Sequence, residues 1–92
     1  MKNFQHFDNV WDALEDDPIK AENLKLRSAL MMAIAERIAS EGLNQTEAAK
    51  RLNITQPRVS ALLKGKIEEF RLDTLVNLAH RLGLHVSIQI AA

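Results

Sequence analysis

Gln56, Arg58, Ser60, Lys64 and Lys66 lie close together in a 92-residue chain, and their side chains offer recognition rather than bond making. A glutamine amide can donate to adenine N7 while accepting from its N6 amino group, so Gln56 is the strongest candidate for reading a base edge. Arg58 suits guanine or a phosphate oxygen, and its length allows either. Ser60 offers a hydroxyl to a base or to solvent. Pro57 and Ala61 bring only apolar surface, of the kind that packs on a thymine methyl. Lys64 and Lys66 flank Gly65 and present positive charge to a backbone, adding affinity without sequence preference. Gln45 stands where a helix is expected to open, and its amide with the free N–H groups of that helix start makes an anion site. Asn44, just before it, is read first as the helix cap and second as a further phosphate contact.

Catalysis finds little support. No Ser–His–acid arrangement and no phosphate-cradling loop is legible, and the chain holds only three glycines. The adjacent acids Asp16-Asp17 and Glu68-Glu69 diverge within regular structure instead of converging on a substrate. Cysteine is absent, which excludes disulfides and thiolate metal sites. His80 and His85 span an expected helix end and strand, with His6 remote, and their spacing is not that of a zinc site. They read as surface residues, and Met31 and Met32 as core filling. No enzymatic activity, cofactor or metal is expected.

Reading a groove requires a stiff support, and the stretch from Gln45 to Lys64 has the pattern of one. Gln45–Leu52 and Gln56–Leu63 read as short helices joined by a tight turn. Ala48, Leu52, Ile54, Val59 and Leu62 are apolar where such a pair must face its core. Ala49 is small where the helices approach most closely. Asn53 occupies the turn, where φ must be positive and Asn is the commonest replacement for Gly. Thr55 can cap the second helix, and Pro57 is tolerated in its first turn. Together these features predict a helix-turn-helix whose second helix is presented to a major groove.

Gly42-Leu43-Asn44-Gln45-Thr46-Glu47-Ala48-Ala49, then Ile54-Thr55-Gln56-Pro57-Arg58-Val59-Ser60, then Gly65-Lys66, resembles the XRE/Cro-type regulators related to phage repressors. Leu75, Leu78, Ala79, Leu82 and Gly83 continue the resemblance, which covers about residues 30–84. It implies a lambda-repressor-like DNA-binding domain in which Gln45 bonds a backbone phosphate. The chain is also similar to the HigA-like antitoxins, many of them encoded beside a ribosome-dependent RNase toxin. That similarity implies an alternative function: an antitoxin that binds a toxin protein and autoregulates its operon.

Charge is unevenly distributed although the formal net is zero. Residues 1–18 carry a net of −4, residues 19–66 a net of +5 and residues 67–92 a net of −1. The excess positive charge surrounds the expected groove-facing helix. Overall neutrality predicts modest non-specific affinity and makes dimerisation important. The acidic stretch Asp8 to Asp17, with Trp11 exposed along one edge, suits a basic toxin, or serves simply as solubilising charge. Apolar content of 47 % fits a folded domain. The longest apolar run, Ala29 to Ala35, is too short to cross a bilayer, and no signal peptide is legible, so a soluble cytoplasmic protein is expected.

Elsewhere, Asp8 or Asn9 is expected to cap a short first helix with Val10, Trp11 and Leu14 on one face. Asp17-Pro18 starts a long helix running to about Glu41, where Gly42 ends it. Its inner stripe is Leu24, Ser28, Met31, Ile34 and Ile38, supported by Leu30 and Ala35. Its N-terminal half is expected to project beyond the core, with a break near Ala21 to Asn23 as an alternative. Phe70, in the loop from Lys66 to Leu72, is read as a core plug rather than an exposed anchor. Asp73 caps a last helix, Thr74 to Leu82, which Gly83 stops. Lys50 and Arg51 solvate a helix face or pair with Glu47. Leu84, Val86, Ile88 and Ile90 then alternate with polar residues, predicting a strand that pairs with its own copy across a homodimer. Pairing within the chain to Asn3–Phe7 is the alternative.

The expected architecture is therefore all-α: five helices with a C-terminal β-strand that dimerises. An acidic extension covers 1–17, the helical domain 18–83 with its helix-turn-helix at 45–64, and the dimerisation strand 84–92. The expected partners are double-stranded DNA, a second copy of the chain and, in the alternative, a toxin, with no membrane. The function expected is transcriptional regulation, as a repressor.

Overall fold

A computed structural model describes Trp11 and residues 13–92. Among these residues the chain forms four α-helices, α1 (Pro18–Ser40), α2 (Gln45–Leu52), α3 (Gln56–Leu63) and α4 (Leu72–Arg81), with a 3₁₀ turn at Ile67–Glu69 before the last. These are four of the five helices expected; the remaining one, the short first helix, falls largely outside the described residues. The Asp8 or Asn9 cap and the Asn3–Phe7 pairing lie outside the described residues. Of the short first helix only a helical turn is described, closed by the Glu15 N–H donating to the Trp11 carbonyl at 3.0 Å. No helix among the described residues is long and apolar enough to cross a membrane.

Helix α1 begins as its residues predict. The Asp17 carboxylate accepts from the Ile19 N–H at 2.9 Å, and Pro18 takes the first helical position, where its missing N–H costs nothing. The helix is unbroken at Ala21–Asn23. Its N-terminal half does not project, because Ala21 and Leu24 are buried along with Ser28, Met31, Ile34 and Ile38. What covers this half comes from both ends of the chain. The 3₁₀ turn packs against α1, and Trp11 lies half-buried on the core with its indole N–H donating to Ser28 Oγ at 2.7 Å. Ser28 is the polar residue buried among the described residues, so this bond satisfies a hydroxyl that would otherwise be costly to desolvate. Trp11 is thus a packed residue, and the expectation of an exposed edge is corrected.

The core is aliphatic around one aromatic. Leu24, Ile34, Leu52, Val59, Leu62, Leu75 and Leu82 form one cluster with Phe70, which is fully buried as expected. Helix α4 packs on α1, and α2 packs on α3 with its own contact to α4. Helix α4 starts at Leu72 behind Arg71, which makes no side-chain cap; the Asp73 carboxylate accepts from the Thr74 N–H at 3.0 Å inside the first turn. Asp73 therefore does not precede the helix but shapes its opening, a shift of the kind fraying ends allow. At the other end Gly83 takes φ of +80° and Leu84 N–H bonds the Ala79 carbonyl at 3.0 Å, closing the helix in the left-handed manner expected.

Charged groups tie the helix ends together. Arg37 Nε donates to the Leu82 carbonyl at 3.1 Å and lies 2.8 Å from Glu41 Oε2, while Arg51 Nη1 meets Glu41 Oε1 at 2.9 Å. One carboxylate thus joins α1 to α2, and its arginine partner joins α1 to α4. Arg51 pairs with Glu41 and not with Glu47, whose carboxylate is used in capping. The hydrogen bond from Arg51, reinforced by both arginine charges, holds Glu41 below its ordinary 4.5 against a smaller opposing effect of burial. A carboxylate depressed in the folded state contributes stability above its unfolded pKa and loses it as pH falls through the folded one. Acid unfolding monitored by circular dichroism should therefore show Glu41→Gln losing less stability than wild type as pH falls below the group's ordinary 4.5. Equal acid sensitivity of the two proteins would remove Glu41 as a contributor.

Residues 84–92 form no strand with any described part of the chain. Leu84 packs on the core, but Ile88 and Ile90 are 85 % and 89 % exposed. The expected C-terminal strand is not supported within the chain, because no described segment offers it a ladder.

Candidate nucleic-acid interface

Helices α2 and α3 are set by local rules at each end. Asn44 Oδ1 accepts from the Glu47 N–H at 2.8 Å, and Glu47 Oε1 accepts from the Asn44 N–H at 2.9 Å, a reciprocal capping box. Asn44 is thus the cap, and its side chain is committed there. The Ala48 N–H reaches the Asn44 carbonyl at 2.8 Å, leaving the N–H groups of Gln45 and Thr46 as those with no intrahelical acceptor. Gln45 is exposed beside them.

Between the helices Asn53 adopts φ 57° and ψ 45°, the left-handed conformation its position required. Its turn is closed by the Ile54 N–H donating to the Ala49 carbonyl at 3.1 Å. Thr55 Oγ1 then accepts from the Arg58 N–H at 3.3 Å, and Pro57 lies in the first turn of α3. Gly65, at φ 76°, closes α3 with the Lys66 N–H on the Ala61 carbonyl at 3.0 Å.

The side chains expected to recognise a ligand divide on this frame. Gln56 and Pro57 are exposed on the leading turn of α3, and Lys64 and Lys66 are exposed at its far end. Gln56 Nε2 donates to Thr46 Oγ1 across the helix pair. Ser60 is half-buried. Ala61, expected to face a groove, is corrected: only 6 % of it is exposed and it belongs to the core with Val59 and Leu62. Its burial puts it on the inward side of the helix.

Arg58 is placed where spacing alone did not indicate. Its guanidinium carbon lies 4.2 Å from the centroid of the Phe70 ring, and Nη1 donates to the Glu69 carbonyl at 2.9 Å. The side chain thereby staples the start of α3 to the turn before α4, a cation–π contact with a hydrogen bond beside it. Its remaining N–H groups are those left for any ligand. The rings of His80 and His85 meet edge to face with centroids 6.4 Å apart, at the far end of the molecule's last helix. Neither contact leaves a sequence signal, since both depend on how separate segments pack.

A family described as helix-turn-helix domain matches residues 13–91. A solved structure assigned as an XRE family transcriptional regulator superposes with a TM-score of 0.75 and 37 % identity, covering 79 % of this chain and 82 % of that one. The chain belongs to the helix-turn-helix XRE family. A search of curated proteins returns no match. The family match extends through the C-terminal segment to residue 91, so the exposed tail falls within the matched region. The exposed Gln56 and Pro57 lie at the leading end of α3, the second helix of the pair.

Proposed function

We propose that the chain is a sequence-specific DNA-binding transcriptional regulator that lays α3 in the major groove and represses by occupying its operator. The observation that carries this reading is the open leading turn of α3, with Gln56 exposed and braced from α2, on an otherwise packed helix pair. Gln56 reads adenine, Pro57 offers apolar surface to a thymine methyl, and Ser60 supplies a hydroxyl at the edge of the groove. Arg58 acts beside them with the N–H groups its staple leaves over. Gln45, Lys64 and Lys66 hold phosphates, Gln45 together with the free amides that open α2.

Selection of bound fragments from genomic DNA gives the operator, and two substitutions then test the assignment. Gln56→Ala should cost about 1–3 kcal/mol on the cognate site and relax preference at one base pair. Lys64→Ala should weaken cognate and random DNA alike and reduce the salt dependence of binding. Equal losses on both kinds of DNA for Gln56→Ala would show that another residue does the reading.

Two copies then bind half-sites about 34 Å apart, joined through residues 84–92. The support is the alternation of Val86, Ile88 and Ile90 with polar residues, and their exposure in the single chain, which a second tail would cover. Ile88→Asp with Ile90→Asp should leave the fold intact and give monomers in sedimentation; a dimer that persists in the double variant moves the interface elsewhere. The alternative, an antitoxin that binds a toxin protein, rests on the acidic stretch Asp8 to Asp17 alone, since Trp11 is engaged by Ser28 and the core.

A further inference from the structure

Thr46 stands on the first turn of α2, exposed, between a capping pair that does not use it and a buried Ala48 that needs nothing from it. Its one described bond outside its own helix is the one received from Gln56 Nε2. We infer that Thr46 is a specificity-determining residue: its hydroxyl holds the Gln56 amide in the pose that reads a base, and so sets the strength of that readout. The inference rests on Gln56 being the base-reading residue.

The hydrogen-bond inventory of the amide permits this double duty. Nε2 carries two N–H groups, of which one goes to Thr46 Oγ1. The second N–H and the Oε1 acceptor remain, side by side, and that is the pair adenine N7 and N6 require. The bracing bond therefore does not compete with the readout. An exposed glutamine without a brace samples many rotamers, and a ligand that fixes one must offset that lost freedom. With the brace, much of the ordering has taken place before DNA arrives.

Thr46→Val keeps the branched shape at an exposed site and removes the hydroxyl, while Thr46→Ser restores it. Binding to the selected operator should weaken about 2- to 10-fold in Thr46→Val, the range expected for freeing one long side chain. Random DNA should be bound as before, and Thr46→Ser should behave like wild type. In a Gln56→Ala background the Thr46→Val change should have no further effect, because the two residues act as one unit. In the free protein, the side-chain NH₂ resonances of Gln56 should stand apart from those of the other glutamines and move towards them in Thr46→Val. Additive effects in the double variant would overturn the inference. So would an equal loss on operator and random DNA, which marks Thr46 as a phosphate contact, or Gln56 resonances indifferent to Thr46→Val. If the wild type shows no sequence preference, the proposed function fails instead, and the resonances alone decide whether Thr46 holds Gln56.

Discussion

Phe70→Ala is expected to cost about 3–5 kcal/mol of folding stability, the usual penalty for removing a buried ring and leaving its cavity. Phe70 has no exposed surface, although it sits in a connecting segment and not in a helix. It belongs to the core cluster that includes Leu24, Ile34, Leu52 and Leu75, while its ring carries the Arg58 guanidinium at 4.2 Å. Truncation therefore removes both the filler of the core and the platform beneath an arginine on α3. For a domain of this size the change corresponds to a fall in Tm on the order of 12–40 °C. Phe70→Leu should lose less stability, since it preserves much of the volume. It still removes the aromatic face, so the loss that remains in Phe70→Leu relative to wild type includes the Arg58 contact, and the difference between the two variants reports the volume filled. A Phe70→Ala protein that melts within a few degrees of wild type would mean the ring is not the core's centre.

Ala61→Asp is expected to destabilise by about 3–5 kcal/mol, the scale found when a buried charge is left without a partner. This substitution separates two readings of one helix face. Were Ala61 on the groove side, an aspartate there would leave folding untouched and impair DNA binding by repulsion alone. In the structure Ala61 is 6 % exposed and its carbonyl receives the Lys66 N–H, so a short carboxylate at this position has no route to solvent. Thermal melts without DNA therefore decide the matter. Ala61→Ser should be far milder, since a hydroxyl can borrow a carbonyl within its own helix.

The helix-turn-helix was legible because its rules are local. Asn53 had to be left-handed between two helices, Thr55 and Pro57 had to open one, and Asn44 had to cap the other; all occupy those places. The stripe of α1 from Leu24 to Ile38 was likewise readable from helical period alone. Errors arose where position on a helix was asked to yield exposure. Ala61 is one residue from Leu62, and the boundary between inner and outer face is set by what packs against α3, not by its own period. The first half of α1 is covered by Trp11 and the 3₁₀ turn, neither of which its sequence announces. The C-terminal alternation of apolar and polar residues indicated a strand but not a partner, and the single chain supplies none among the described residues.

Taken by itself, the amino-acid order determined the type of domain, the boundaries of α1 to α4 to within a residue or two, the turn, the caps of α1, α2 and α3 and the polar residues at the start of α3. These depend on backbone preferences and periodicity that span a few residues at a time. Only tertiary structure decided which of those polar groups are engaged: Arg58 on Phe70 and Glu69, Trp11 on Ser28, Arg51 on Glu41, Gln56 on Thr46. Each of these contacts joins residues ten or more positions apart in the chain. Their proximity follows from how helices cross and which faces they bury, an outcome of the whole core acting together.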